Sequence, residues 1–159
     1  MRKIDLNVEK KFENLKVTTD NNPRKNQNKF YWATKIAIDK HNKITLKHIK
    51  DKVVLEIGCS DAKYSSEYIN ESKYYYGCDI SNKAIEIAKN KNLKNTNFIC
   101  CDAHKLPYKK NQFDSIIVNS LLHHLDLDTI LKEIKRTLKE NGLLIIREPL
   151  GINPIFNLY

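Results

Sequence analysis

The sequence predicts an α/β domain built on a parallel sheet with helices covering both faces. Three observations predict it. From Lys52 onward, short apolar runs of strand length alternate with stretches of helical character. Several of those runs are near-continuously apolar, the mark of strands buried on both sides. The chain has 159 residues, 41% of them hydrophobic and 30% charged, which suits one domain with one core.

The elements follow in order. Residues 1 to about 26 are polar, rich in Asn and Lys, and contain Pro23, so they read as an arm with at most short structure. The domain proper is expected to run over 27–159. "NKFYWATKIAIDKHN" has apolar residues at Phe30, Tyr31, Ala33, Ile36 and Ala37 and no breaker, and reads as an amphipathic helix. "KVVLEIG" is a strand and "AKYSSEYIN" a short helix. "KYYYGCD" is a strand whose three tyrosines pack, and "SNKAIEIAKNK" is a helix with Ser81 as its N-cap. "NFICCD" is a strand, "AHKLPYKKNQ" a loop broken by Pro107, and "FDSIIVNS" a strand. "DLDTILKEIKRTLKENG" is a helix with the stripe Leu127, Ile130, Leu131, Ile134 and Leu138. Asp126 fits its N-cap and Gly142 its C-terminal cap. "LLIIRE" is the last strand.

Composition narrows the function classes. The net charge of +9 is spread over scattered lysines with no Arg-rich run, which points to solvated faces more than to a nucleic-acid or acidic-membrane partner. No apolar run approaches the ~20 residues of a membrane span, and the charged N-terminus has no apolar core of a secretory signal. The cytoplasm is the expected location. Cys59, Cys78, Cys100 and Cys101 form no C-x-x-C pair and sit in strand-like text, so they read as buried reduced thiols and no metal site is expected.

A parallel sheet binds ligands beyond the carboxyl ends of its strands. The first strand carries Glu56 and runs into Gly58, Cys59, Ser60, Asp61 and Ala62. The second ends at Asp79 and Ile80, the third at Asp102 and Ala103. The fourth ends at Asn119 and Ser120, followed by His123 and His124. Three ends rich in carboxylate and a turn with a single glycine suit a pyrophosphate poorly. They suit a ligand with a ribose diol, a primary amine and a positive centre, and S-adenosylmethionine is such a ligand. In that reading Asp79 accepts from both ribose hydroxyls and Asp102 from the adenine amino group. The Ala103 N–H donates to a ring nitrogen, and Gly58 lets the backbone approach the methionine part. Cys59, Ser60, Ile80 and Asn119 complete the candidate cofactor contacts with Glu56.

From about Lys52 to Pro149 the chain resembles class I S-adenosylmethionine-dependent methyltransferases of the small-molecule type. The matching text is "VLEIGCSDA", "YYGCDIS", "CCDAHKLPY", "FDSIIVNSLLHHL" and "LKEIKRTLKENGLLIIREP". The resemblance implies a Rossmann-like doubly wound sheet of order 3-2-1-4-5. It also implies S-adenosylmethionine as cofactor and methyl transfer to a small acceptor at O, N or C. His123 is the candidate general base, and His124 reads as a polar residue beside the site. Tyr31 and Trp32 are expected either to cap the pocket or to pack. Two departures stand out. The family's E-x-G-C-G-x-G has Ser60 and Ala62 in place of two glycines here, where a positive φ would cost energy. The family's sixth and seventh strands are not matched, so "LLIIRE" is expected to be an exposed edge that pairs with a second copy or a partner chain.

Three rival readings stand beside this one. One is non-catalytic, a cofactor-binding or degenerate fragment acting as an interaction module. The second is a nucleic-acid methyltransferase. "NSLL" replaces the D/N/S-P-P-aromatic stretch of amino-directed DNA enzymes and the Pro-Cys of cytosine-directed ones is missing, so an RNA enzyme is what remains of it. The last, a nicotinamide dehydrogenase, lacks its G-x-G-x-x-G.

Overall fold

The computed structural model describes residues 7, 10, 11, 14 and 28–148, with side chains for all of these except 28–34. Helix α1 spans Asn28–Ile49, and β1 follows at Val53–Ile57. Next come α2 (Ser66–Glu71), β2 (Tyr74–Asp79), α3 (Asn82–Asn90) and β3 (Thr96–Cys100). A loop leads to β4 (Phe113–Asn119), a 3-10 turn (Leu122–His124), α4 (Leu127–Thr137) and β5 (Leu138–Arg147). The five strands form one sheet in the order β3-β2-β1-β4-β5, every neighbouring pair parallel. The expected fold class and strand order both hold. The order reverses between β1 and β4, so the crevice of the switch point opens where Gly58 and Asn119 leave the sheet.

Strand alternation sorts the core into two layers. Val54, Tyr75, Phe98 and Ile117 face one side and meet Ile49 of α1, Tyr68 and Ile69 of α2, and Ile85 and Ala88 of α3. Leu55, Ile57, Cys78, Ile116 and Val118 face the other side and meet Ile130 and Ile134 of α4. Only one helix covers that second face among the described residues. The predicted loop supplies the rest: Leu106 and Tyr108 are buried, and Tyr108 packs edge-on to Tyr76 and Phe113. Arg136 of α4 clamps this loop by donating to the carbonyls of Tyr108 (2.6 Å) and Leu106 (2.8 Å), while Glu133 accepts from the Leu106 N–H.

The predicted N-caps are in place. Ser81 Oγ accepts from the Ala84 N–H at 3.2 Å and Asp126 Oδ1 from the Thr129 N–H at 3.0 Å. Ser81 also meets Asn14 of the N-terminal arm, so part of that arm lies on the start of α3.

Four expectations need correction. Gly142 does not cap α4, because the helix stops at Thr137. Asn111 and Gln112 donate to the carbonyls of Arg136 and Thr137, and Leu138 pairs with Phe113, which pulls the chain into the sheet early. Gly142 suits its place for a different reason: a Cβ there would lie 2.9 Å from the Lys139 carbonyl and 2.7 Å from the Leu138 side chain. The stripe on α4 is narrower than predicted, since Leu127 and Leu131 are exposed. On α1, Ile36 and Ala37 are exposed and the buried positions are Thr45 and Ile49. Asn42 of α1 meets Tyr68, and the helix ends against the start of β1, so it runs antiparallel to the strands. Its first half therefore stands out past the strand ends and leaves the core. Finally, Cys100 is exposed: it shares a face with Phe98 but ends the edge strand β3, where its thiol meets Asn82 Oδ1 at the start of α3 (2.6 Å) and not the core. The side chains of Tyr31 and Trp32 lie outside the described residues.

β5 is one edge of the sheet, and Leu143 and Ile146 on it are exposed, as expected of "LLIIRE". No helix of the described residues is long and apolar enough to cross a membrane.

Candidate functional site

The turn after β1 has the backbone of a glycine-rich turn with only one glycine in it. Gly58 has φ +79°, Ser60 φ +49° and Ala62 φ +56°. Ser120, after β4, has φ +52°. Every other described positive-φ residue is Asn or Asp, which tolerate that region. Strain is thus confined to the two loops that flank the switch point, which is where binding sites store it. The turn is held by the Gly58 and Cys59 N–H groups, both donating to the Cys78 carbonyl at 2.8 and 3.1 Å. A Cβ at Gly58 would press on a Leu121 methyl at 2.8 Å, and the φ of +79° itself disfavours any side chain there. α2 starts at Ser66, later than predicted, because the residues before it are spent on this turn.

Relieving the strain should be measurable. A non-glycine residue in this conformation costs ~1–2 kcal/mol, while glycine loses about 0.4–1 kcal/mol through the unfolded chain. Ser60→Gly is therefore expected to stabilise the protein by about 0.5–1 kcal/mol, read as a higher urea midpoint at unchanged slope. A lower midpoint would mean that the serine side chain contributes more than its backbone costs.

Asp79 ties the turn to β2. Its Oδ2 accepts from the Ser60 N–H and its Oδ1 from the Ser81 N–H, both at 2.9 Å. Ile80 lies between these two anchor points. At the next strand end, Asp102 Oδ1 accepts from the His104 N–H (2.9 Å) and pairs with His104 Nδ1 (2.8 Å). His104 Nε2 accepts from the Asp126 N–H at 3.0 Å. His104 thus carries its proton on Nδ1 and ties the Asp102-Ala103 turn to the start of α4. Nothing local marks His104 for this role, since the link to Asp126 depends on how the loop folds.

Glu56 and Cys59 stand differently from the expectation of ligand contacts. Glu56 is 6% exposed, and its carboxylate accepts from Ser65 Oγ (2.6 Å), Tyr75 Oη and Asn119 Nδ2 (3.2 Å). It fastens the turn, β2 and β4 together from beneath. Burial raises its carboxyl above the ordinary range, against the lowering effect of those three bonds. Asn119 is committed to Glu56 through its Nδ2, and its buried Oδ1 has no hydrogen-bond partner among the described residues. The Cys59 thiol is buried beside Gly77, where a Cβ would lie 2.8 Å from its sulfur, and it donates to the Ser60 carbonyl of the turn at 3.5 Å.

The fourth strand end brings in a residue that sequence reasoning missed. Glu148, just past β5, accepts from the Leu121 N–H (2.7 Å) and the Leu122 N–H (2.8 Å) through Oε1. Its Oε2 lies 2.6 Å from His123 Nδ1. Burial pushes this carboxyl up, but the His123, Leu122 and Leu121 hydrogen bonds outweigh that and hold it below the usual range. The His124 ring lies beside His123, with centroids 4.0 Å apart. Glu148's position after the last strand, one of a row of ends, is the signal that would have found it.

The likeness to known proteins agrees with this geometry. A tRNA (carboxymethyluridine(34)-5-O)-methyltransferase of Arabidopsis thaliana is 33% identical over 98 residues, covering 59% of this chain and 23% of that protein. A demethylmenaquinone methyltransferase of Thermotoga maritima is 42% identical over 78 residues, covering 48% and 34%. The crystal structure of phosphoethanolamine N-methyltransferase 1 of Haemonchus contortus, with phosphoethanolamine and S-adenosylhomocysteine, superposes with a TM-score of 0.75. It is 18% identical and covers 92% of this chain and 32% of that one, a likeness of fold. The chain spans between about a fifth and about a half of the length of the curated relatives it matches. The methyltransferase domain family matches residues 55–146, from β1 to β5 and more than half of the chain. The protein therefore belongs to the methyltransferase domain family.

Proposed function

We propose that the chain binds S-adenosylmethionine at these strand ends and transfers its methyl group to a small-molecule acceptor. The observation that carries this reading is the set of ends themselves. Gly58 with its positive φ, the Asp79 carboxylate and the Asp102 turn stand in sequence on β1, β2 and β3, which are adjacent in the sheet. S-adenosylmethionine is the cofactor of the family and supplies, when bound, a methyl group activated on a sulfonium. The residues present fit it. The backbone at Gly58 holds a positive φ that disfavours a side chain, and the donor set is anionic, as a ligand with a cationic centre and a diol requires. Asp79 would hold the ribose hydroxyls, and Asp102 with the Ala103 N–H the adenine. The backbone of Gly58, Cys59, Ser60 and Ile80 would line the path between them.

This chain's own part in the chemistry is placement and proton handling. His123 stands at the mouth of the switch point and would take a proton from an acceptor hydroxyl or ammonium. Asn119 and Glu56 would act from beneath, by fixing the loop on which His123 stands. Titration calorimetry with S-adenosylmethionine, S-adenosylhomocysteine and NAD tests the reading. Binding of the first two without the third is expected. No binding of either would leave the interaction-module reading in its place.

One observation favours a second reading, transfer to RNA. Lys35, Lys40, Lys43 and Lys47 are all exposed on α1, and Lys35 lies on the half that stands past the strand ends. A phosphate backbone laid there would bring a base toward the site. Labelled-methyl transfer offered to RNA and to metabolite pools separates the two acceptors. The exposed β5 edge would be the place for a second copy or a partner chain in either case.

A further inference from the structure

We propose that Glu148 is a positioning residue that fixes the tautomer of His123 and so leaves Nε2 as the nitrogen that accepts the acceptor's proton. This rests on the methyl-transfer reading for its use, and on the hydrogen bonds of the β4 and β5 loops for its geometry. An ionised carboxylate only accepts hydrogen bonds. Glu148 Oε2 lies 2.6 Å from His123 Nδ1, so the proton of the neutral ring sits on Nδ1. The lone pair is then on Nε2, at the ring edge away from the carboxylate.

The carboxylate cannot turn aside from this task. Its other oxygen is held by the Leu121 and Leu122 N–H groups at 2.7 and 2.8 Å. Those two amides belong to the same loop that carries His123, so the orienting group and the oriented ring move as one unit. The loop is closed further by the His124 N–H donating to the Leu121 carbonyl at 2.9 Å. When an acceptor O–H or N–H bond breaks, its electron pair stays on the heteroatom and its proton goes to Nε2. The imidazolium so formed faces an anion already in place. The device therefore serves an acceptor that carries a removable proton, a hydroxyl or an ammonium.

The test uses the full chain labelled with nitrogen-15 and needs no turnover. Long-range proton–nitrogen correlation should show the neutral His123 ring with its proton on Nδ1. Glu148→Gln is the informative variant. Its amide oxygen can still accept from Leu121 and Leu122, while its NH₂ now donates to Nδ1, so the ring should change to the Nε2–H tautomer. Modification of His123 by diethyl pyrocarbonate, read by peptide mass spectrometry, should slow about tenfold, the ratio an ordinary hydrogen bond supplies. An Nε2–H ring in the unaltered protein overturns the proposal, and this measurement stands even if the variant does not fold. So does a folded Glu148→Gln protein with the original tautomer and the original reactivity. Failure of the cofactor titration, by contrast, would remove the methyl-transfer reading and leave the tautomer result intact.

Discussion

Replacing Glu56 by alanine is expected to cost about 3–5 kcal/mol of folding stability, while replacing it by glutamine should cost less than about 1 kcal/mol. Alanine leaves three buried or half-buried donors, on Ser65, Tyr75 and Asn119, with no acceptor. Glutamine keeps the oxygen that serves Ser65 and Tyr75. Its NH₂ would oppose Asn119 Nδ2, but the Asn119 amide can turn over and offer its Oδ1, which has no partner among the described residues. Glutamine also removes a buried charge. The pH dependence follows from the raised carboxyl. Between the unfolded value near 4.5 and the higher folded one, the native state holds more protons than the unfolded chain. The carboxylate's contribution to stability is therefore largest below the unfolded value and falls as pH rises through that window. Urea midpoints of the parent and of Glu56→Gln, taken from about pH 4 to about pH 8, should converge at the acid end and shift in favour of glutamine above it. A parent that gains on Glu56→Gln as pH rises would show the charge to be stabilising where it sits.

Much of the fold was legible because its signals are local. Strands buried on both faces write themselves as runs such as "VVLEI" and "SIIV", and the caps at Ser81 and Asp126 need only the next turn of their own helices. What failed depended on partners distant in sequence. Gly142 looked like a helix stop, but the end of α4 is decided by Gln112 and Phe113, which claim its last residues for the sheet. Ile36 and Ala37 look more like a buried face than Thr45 does, yet α1 has no sheet beneath its first half. The site divides the same way. Gly58, Asp79 and Asp102 stand at strand ends that the pattern places. Glu148 acts across 25 residues and Ser65 is an ordinary serine until the turn brings it to Glu56, so neither is readable before the loops are folded.

Asp79→Ala should weaken S-adenosylhomocysteine binding by about 10–100-fold, the loss of one or two charge-assisted hydrogen bonds to the ribose hydroxyls. That loss alone does not identify its cause. The same carboxylate holds the Ser60 and Ser81 N–H groups, and Ser60 is one of the residues in a strained conformation. Removing it releases the turn, so affinity would fall even if no hydroxyl ever met Asp79. A double cycle separates the two effects, with the side chain removed on one axis and the ligand's 2′-hydroxyl on the other. Damage to the turn weakens S-adenosylhomocysteine and its 2′-deoxy form alike and cancels from the cycle. A direct bond appears as a coupling of about 1–3 kcal/mol, with the deoxy ligand weaker in the parent and equal to the full ligand in the variant. Zero coupling, with both ligands weakened together, would make Asp79 a support of the Ser60 turn and move the ribose contact elsewhere. Because Ser60→Gly relaxes the same turn without touching the carboxylate, the coupling should persist in that background. The part of the affinity lost through strain should shrink.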